Sequence, residues 1–178
     1  MIAVRRRLGV IVALGALLGM FAGAVTASPA LAGRGPKWQP PGPTPPFTLP
    51  ALFCGFKLRV AVPVNKEFTK VLKTADGSMT FLFTGAAIVS YTNLQTGKAI
   101  TVPENGPGKF FGHPAGSFTE VHTGRTGLIL TPAQQARFGL PAVTVTAGKQ
   151  AFSVSANHVL TSLSLQGHVL INVCAALS

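Results

Sequence analysis

The sequence predicts an all-β protein whose strands form an antiparallel meander, closed into an up-and-down barrel or, alternatively, packed as a β-sandwich. Three observations support this prediction. Short segments rich in valine, phenylalanine and threonine recur at regular intervals, turn residues separate them, and one cysteine lies near each end of the region. A single short helix near 131–138 interrupts the pattern.

The N-terminal residues 1–32 have the order of a secretory signal peptide. The arginines at 5–7 are followed by an uncharged run, 8–25, and small side chains at Ala30 and Ala32 precede the expected cleavage site. We therefore expect a secreted, extracellular protein with no membrane span after cleavage. The alternative is that the uncharged run remains as a membrane anchor, although it is near the lower length limit of about 17 residues for a span.

Residues 33–50 form a proline-rich segment that contains seven prolines. Such a segment favours an extended polyproline conformation and acts as a semi-rigid linker. Trp38, the only tryptophan, lies within it, and a contact with a partner or a wall glycan is the alternative use.

The mature chain is strongly basic. With the three arginines of the signal removed, twelve lysines and arginines remain against four acids, which is a net charge of +8. This charge favours weak attraction to anionic cell-wall polymers. Because the basic residues are spread singly, without the clusters and interleaved aromatics of a nucleic-acid module, we expect no nucleic-acid partner and a monomeric protein.

Residues 51–178 are expected to form one β domain closed by a disulfide. Cys54 and Cys174 are the only cysteines, and in an exported protein such a pair is expected to be oxidised. A bridge that encloses almost the whole domain stabilises it by roughly 4 to 5 kcal/mol on the loop-entropy model.

The first strand is predicted over 54–64, where apolar side chains alternate with others and the even positions face the core. Pro63 indicates an edge or a bulge near its end. Tight turns are expected at Asp76-Gly77 and at Gly97. The further predicted strands are 68–73, 80–84, 86–93, 99–102, 117–123, 126–130, 142–146, 150–155, 159–165 and 168–174.

The helix near 131–138 is predicted from its capping residues. Thr131 is the N-cap, Pro132 occupies the first helical position, Gln134 completes a capping box, and Gly139 ends the helix.

The last strand contains a conflict between its pattern and the disulfide. Val169, Ile171 and Val173 share the apparent buried face, which places Cys174 on the opposite face. A bulge near Asn172, or a bridge at the rim of the sheet, would resolve the conflict.

The one polar cluster with chemical potential consists of His113, Glu120 and His122. Glu120 and His122 lie two residues apart and so share a strand face, and His113 precedes them in a Gly- and Pro-rich loop. Together they would form a three-ligand metal site or an acid–base pair. A solvent-facing polar strip is the simpler interpretation, and we assign no catalytic residue, metal or cofactor.

Other catalytic arrangements are poorly supported. The only aspartate, Asp76, is explained by its turn, and no nucleophile elbow is present. Paired carboxylates would have to come from Glu67, Glu104 and Glu120, and no spacing places two of these together. The loop 103–116 is expected to be a mobile surface connection, and it is the only loop through which an inhibitor or toxin could act.

We therefore expect a non-enzymatic binding or cell-envelope protein. The alternative is a small barrel enzyme, of the isomerase or cyclase type, that acts on an apolar substrate. The composition allows the interior to be either packed or hollow.

Short segments of the chain resemble a group of small secreted, β-rich proteins of high-GC Gram-positive bacteria. The segments are the start Phe53-Cys54-Gly55-Phe56, the turn Thr92-Asn93-Leu94-Gln95-Thr96-Gly97-Lys98 and the ending from Gly167 to Leu177. The resemblance covers about residues 51–178 and implies no activity, cofactor or site residue. An aspartate is usual in that group at the position of Asn172, where this chain departs.

Overall fold

The computed structural model describes residues 12–13, 36–74 and 76–178. The predicted signal peptide lies outside the described residues except for 12–13, whose backbone pairs with a strand of the domain. In chain order the strands are β1 Val12–Ala13, β2 Phe47–Leu49, β3 Leu58–Asn65, β4 Phe68–Lys73, β5 Met79–Thr84, β6 Ala86–Asn93, β7 Ala99–Asn105, β8 Gly108–Gly112, β9 Phe118–Ile129, β10 Val143–Val154 and β11 Leu160–Asn172. The helices are α1 Pro132–Phe138 and α2 Val173–Leu177.

The strands form one antiparallel sheet, so the predicted all-β class is confirmed. Its main body is a meander of six long strands. Strands β3 and β4 together make the first, β5 and β6 the second, and β7 and β8 the third; β9, β10 and β11 follow. The predicted pairs of short strands 117–123 and 126–130, 142–146 and 150–155, and 159–165 and 168–174 are therefore single strands.

A row of glycines crosses the sheet at the middle of these strands. Gly106 donates a backbone hydrogen bond to Gly85, and Gly124, Gly148 and Gly167 lie opposite one another in register. At Gly124 and Gly148 φ is +127° and +118°, and a Cβ at Gly124 would lie 2.0 Å from the carbonyl oxygen of Asn105. Only glycine tolerates this backbone geometry. We call these five residues the glycine row.

The long strands bend sharply at the glycine row. On a straight strand, residues four apart are separated by about 13 Å. Here the side chains of His122 and Thr126 contact each other across Gly124, and Thr146 donates a hydrogen bond of 3.2 Å to Gln150 across Gly148. The face that carries these four side chains is therefore concave.

The glycine row divides the sheet into two halves. The disulfide half contains β2, β3, β6 and β7 with residues 125–129, 143–147 and 168–172 of the last three strands. Its apolar core includes Leu58, Val60, Tyr91, Val143 and Val145, all fully buried. The glutamate half contains β4, β5 and β8 with residues 118–123, 149–154 and 160–166, and its smaller core is built around Phe118, Phe152, Val154 and Leu160.

The sheet is not closed into a barrel, contrary to the sequence prediction. Among the described residues β11 pairs only with β10, and the opposite side of the sheet ends in β2 and β4. The outer edge of β3, which a closed barrel would offer to the last strand, is already paired with β2. A strand edge has room for one neighbour, so this pairing excludes closure through β3.

The proline-rich segment supplies these edge contacts. Phe47–Leu49 pairs with β3, and Gln39 forms a two-hydrogen-bond bridge with Thr69 of β4. Part of the predicted linker therefore lies along the edge of the sheet. Such cover protects an edge strand from pairing with other chains.

The disulfide Cys54–Cys174 joins the two ends of the domain, as predicted, with the Cα atoms 5.0 Å apart. Strand β11 ends at Asn172, whose side chain accepts the N–H of Ala175 and caps α2. Because Cys174 lies in this helix, the strand alternation does not apply to it. The helical turn places Cys174 beyond the strand alternation. The predicted bulge near Asn172 is also found, since Val145 pairs with Ile171 and Thr146 with Val169, which leaves Leu170 as an extra residue.

Helix α1 is capped as the sequence predicts, whereas the segment 103–116 is not the predicted loop. Helix α1 has the predicted capping box between Thr131 and Gln134 and ends at Gly139 with φ +67°. The predicted mobile loop 103–116 is mostly strand, since β7 continues to Asn105 and β8 begins at Gly108. Gly106 and Pro107 lie at the bend of the sheet, and Pro114 and Gly116 lie in the short turn before β9, so no long exposed loop is available here to an inhibitor.

Candidate functional site

Glu120 lies on the concave face of the glutamate half, surrounded by aromatic side chains. Its partner across the sheet is Phe110 on one side and Phe152 on the other, and residues directly opposite project from the same face. Phe118, two residues before it on β9, also shares this face, and its ring lies 4.6 Å from that of Phe110. A single carboxyl group therefore occupies the middle of an apolar row.

The carboxyl of Glu120 is fully buried and finds no hydrogen-bond donor in the part of the chain that the structure describes. Its exposed fraction is 0%, and among the described residues neither Oε1 nor Oε2 is within hydrogen-bonding distance of a donor. Burial, and secondarily the charge of Glu67, raises the pKa of Glu120 to about 8. The group therefore carries its proton at neutral pH, when it is a hydrogen-bond donor as well as an acceptor.

His122 is the next side chain on the same face of β9. It is 5% exposed, and burial lowers its pKa. A backbone hydrogen bond with Gly106 has the smaller, opposite effect of raising the pKa. The ring packs against Phe83 at 5.5 Å between centroids. His122 is thus a neutral imidazole beside a protonated carboxyl at neutral pH.

Gln150 and two threonines form a polar network around the imidazole. Nδ1 of His122 contacts the hydroxyl of Thr126 and lies 3.5 Å from the amide nitrogen of Gln150. Thr146 in turn donates to the amide oxygen of Gln150. The network fixes the ring and occupies its Nδ1 side.

Phe83 reaches His122 because Gly108 lies beneath its ring. A Cβ at Gly108 would be 2.0 Å from the ring of Phe83, so any larger residue would displace that ring. Phe81, two residues earlier on β5, packs edge-on against Phe110 at 5.4 Å. These rings extend the aromatic surface from β5 across to β10.

Glu67 lies at the junction of β3 and β4 and approaches the same space from the first long strand. It is half-buried; burial, and then the charge of Glu104, raises its pKa to about 7. Three strand spacings, about 14 Å along the sheet, separate it from β9. Its effect on the pKa of Glu120 therefore acts across the concave face.

Glu104 lies where β7 separates from β9 and, unlike Glu67 and Glu120, is held by hydrogen bonds within the domain. The hydroxyl of Tyr91 donates to Oε1 at 2.8 Å and the N–H of Gly127 to Oε2 at 2.9 Å. Burial raises the pKa of Glu104, and these two hydrogen bonds act in the opposite direction. Because β7 turns away from β9 here, the N–H of Gly127 is not paired with β7. The carboxyl of Glu104 accepts its hydrogen bond instead.

The structure brings together only part of the predicted polar cluster. Glu120 and His122 share a face as expected, but that face is buried, so a solvent-facing strip is not what they form. His113 is exposed in the turn between β8 and β9, beside Phe111. Phe110 is the residue opposite Glu120, so His113 lies three residue positions, about 10 Å, further along the strand direction. Within residues 36–74 and 76–178, no three His, Cys, Asp or Glu side chains are grouped to hold a metal ion.

Sequence reasoning missed Glu67 and Gln150. No spacing in the sequence places two glutamates together, whereas in the structure the charge of Glu104 raises the pKa of Glu67 and the charge of Glu67 raises that of Glu120. Gln150 lies opposite His122 in register. The strand pattern gave no signal for Glu67: of the four acidic residues only Glu120 lies within a predicted strand, since Glu67 precedes the predicted strand 68–73 and Glu104 lies in the predicted loop 103–116.

No helix in the described part of the chain is both long and apolar enough to cross a membrane. Comparisons of this chain with protein-family models, with curated proteins and with solved structures find no match.

Proposed function

We propose that this protein is exported and binds a small, largely apolar molecule on the concave face of the glutamate half, with the carboxyl of Glu120 as the polar contact. Export is supported by the order of charge, apolar run and small residues at the N-terminus. It is also supported by the disulfide, a bond that persists in oxidising compartments.

The observation that carries the binding proposal is the unpartnered carboxyl of Glu120. Leaving a buried polar group without a hydrogen bond costs about 1 to 3 kcal/mol. A leucine would pack against Phe110 and Phe152 without that cost. A glutamate in this position is therefore explained by a ligand that provides the missing hydrogen bonds, within an aromatic surface suited to an apolar body.

Native mass spectrometry of the protein recovered from culture medium tests both parts. We expect a chain that begins at Gly33, a mass two hydrogens below that of the reduced chain, and a retained small molecule. The variant Glu120→Leu should fold but carry no such molecule, while Asp76→Asn, a carboxyl change in an exposed turn, should retain it. Equal retention by all three proteins would refute the role of Glu120.

The same proteins can be titrated with the neutral, apolar fluorophore N-phenyl-1-naphthylamine. Its fluorescence should rise with the wild-type protein and with Asp76→Asn, and displacement by the retained molecule should reverse the rise. If the fluorophore does not bind, or if the retained molecule does not displace it, the concave face is not the binding site.

A second function, an isomerase or cyclase, is favoured by one specific observation. Glu120 is protonated and His122 neutral at neutral pH, and such an adjacent pair can donate and accept a proton in one turnover. The molecule released from Glu120→Gln protein should then be converted when it is incubated with the wild type. Recovery of that molecule unchanged would leave binding as the function.

A further inference from the structure

The distribution of acidic residues runs opposite to the net charge of the protein. The four acids of the chain are outnumbered by fifteen lysines and arginines, yet Glu67, Glu104 and Glu120 are partly or fully buried in the sheet and only Asp76 lies in an exposed turn. No lysine or arginine is among the groups that perturb the pKa of these three glutamates. Among the described residues the interior is therefore acidic, and no buried lysine or arginine accompanies these glutamates.

Glu104 is the negative charge that acts on Glu67 in this interior. The donors Tyr91 and Gly127 both stabilise its charged form, whereas the carboxyls of Glu67 and Glu120 lie without such support. Glu67 acts on Glu120, and Glu104 acts on Glu67. A positive charge placed beside Glu120 would be attracted by all three groups, because Coulomb interactions are strong where water is excluded.

The surroundings of Glu120 also suit an organic cation better than a metal ion. The rings of Phe110, Phe118 and Phe152 adjoin the carboxyl, and aromatic faces attract ammonium groups. The available oxygens, both on Glu120, would accept charge-assisted hydrogen bonds from N–H donors. The nearest imidazole, that of His122, is held by Thr126 and Gln150.

We infer that the ligand is a small organic amine, whose ammonium group pairs with the carboxylate of Glu120 and whose apolar body packs on the surrounding phenylalanines. This inference rests on the proposed binding function and narrows its ligand class. Glu67 contributes attraction from across the concave face. An anionic ligand would be repelled by the same groups, and a neutral one would gain only a hydrogen bond.

Three probes of one shape test the charge of the ligand: benzylamine, benzyl alcohol and benzoate, which are cationic, neutral and anionic at neutral pH. Binding to the full secreted protein is followed by NMR titration. We expect benzylamine to bind most tightly and benzoate least. The affinity for benzylamine should rise as pH increases from about 6 to about 8, because the ammonium group competes with the proton on Glu120.

The variant Glu120→Gln should lower the affinity for benzylamine by about tenfold, which corresponds to 1.4 kcal/mol, and leave that for benzyl alcohol nearly unchanged. Glu67→Gln should have a smaller effect of the same sign. Asp76→Asn should change neither affinity. Thermal unfolding of each variant establishes that it is folded before it is titrated.

The outcomes separate this inference from the proposed function. If benzyl alcohol and N-phenyl-1-naphthylamine bind but benzylamine binds no more tightly than benzyl alcohol, the amine is refuted and small-molecule binding stands. The same holds if Glu120→Gln leaves the affinity for benzylamine unchanged. If no probe and no fluorophore binds, both proposals fail together.

Discussion

The disulfide half and the glutamate half are built from the same six long strands, yet their inner surfaces differ in kind. The disulfide half packs buried aliphatic side chains such as Leu58, Val60 and Val145 and joins the chain ends through a covalent bond. The glutamate half places Glu120, His122 and other polar groups among phenylalanines. One half has the composition of an apolar core, and the other combines ionisable groups with aromatic rings.

This difference indicates how a small domain can accommodate buried ionisable groups. Buried carboxyl and imidazole groups reduce stability, so the remainder of the protein must compensate. Here the compensation lies across the glycine row, in the disulfide half, whose described residues include no buried carboxyl other than that of Glu104. The glycine row allows the two halves to share strands while their inner surfaces differ.

The largest expected effect concerns the disulfide half. Replacing both Cys54 and Cys174 by alanine should lower the free energy of unfolding by roughly 4 to 5 kcal/mol, because the bridge closes a loop of 120 residues. Denaturant unfolding of the variant and the wild type measures the difference. If the loss were below that of the glycine variant described next, the disulfide half would not be the main source of stability.

The next effect concerns the boundary between the halves. Gly124→Ala should cost roughly 3 kcal/mol or more, since φ is +127° and the new Cβ would meet the carbonyl of Asn105. Gly42→Ala is the matched control: no atom lies within 4 Å of its Cβ position, and we expect a change within about 0.5 kcal/mol. If Gly124→Ala and Gly42→Ala unfold at the same denaturant concentration, the strands do not bend sharply at Gly124.

A smaller effect is expected at Glu104, where β7 and β9 separate. Tyr91→Phe removes one of its two donors and should cost about 2 kcal/mol, measured by thermal or denaturant unfolding. Adding Glu104→Gln should recover part of this loss, because an amide is less costly to leave partly unpaired than a carboxylate. No loss in the single variant would show that the hydroxyl does not support Glu104.

The last expected effect, the smallest when expressed per pH unit, is the pH dependence of stability from the glutamate half. In the unfolded chain Glu120 loses its proton near its ordinary pKa of 4.5, whereas in the folded protein it keeps the proton up to about pH 8. The folded state therefore binds more protons in this range, and stability should fall as pH rises, with a slope of up to about 1.4 kcal/mol per pH unit. Glu67, with a pKa of about 7, acts in the same direction.

Unfolding by denaturant at a series of pH values measures this slope. Glu120→Gln should flatten it and Glu67→Gln should reduce it less, while Asp76→Asn should not flatten it. Burial lowers the pKa of His122. This group therefore reduces the stability of the folded protein as pH falls, which is opposite to the effect of Glu120 and Glu67. A slope that is unchanged in Glu120→Gln would remove Glu120 as its source.

Prediction from the sequence worked best where neighbouring residues decide the structure. The capping box of α1 and the register shift near Pro63 follow from residues a few positions apart. At the glycine row the same local reasoning divided single strands into pairs, because glycine interrupts the alternation of side chains while backbone pairing continues.

The candidate site was predicted in part, for a physical reason. A spacing of two residues places Glu120 and His122 on one face whatever surrounds them. Whether that face is buried, and whether Glu67 lies near it, depends on the curvature of the sheet and on strands that are distant in the sequence. No periodicity within β9 contains this information.

The sequence alone determined the β-class, the capped helix and the oxidised cysteine pair, because alternation, capping and the pairing of two cysteines are local or have one solution. Only the tertiary structure decided whether the sheet closes and which carboxyls meet. Closure depends on which strand occupies the edge of β3, and β2 occupies it through the proline-rich segment. The acidic interior likewise forms only in the folded protein, where the bent strands bring Glu67 close enough to Glu120 to raise its pKa.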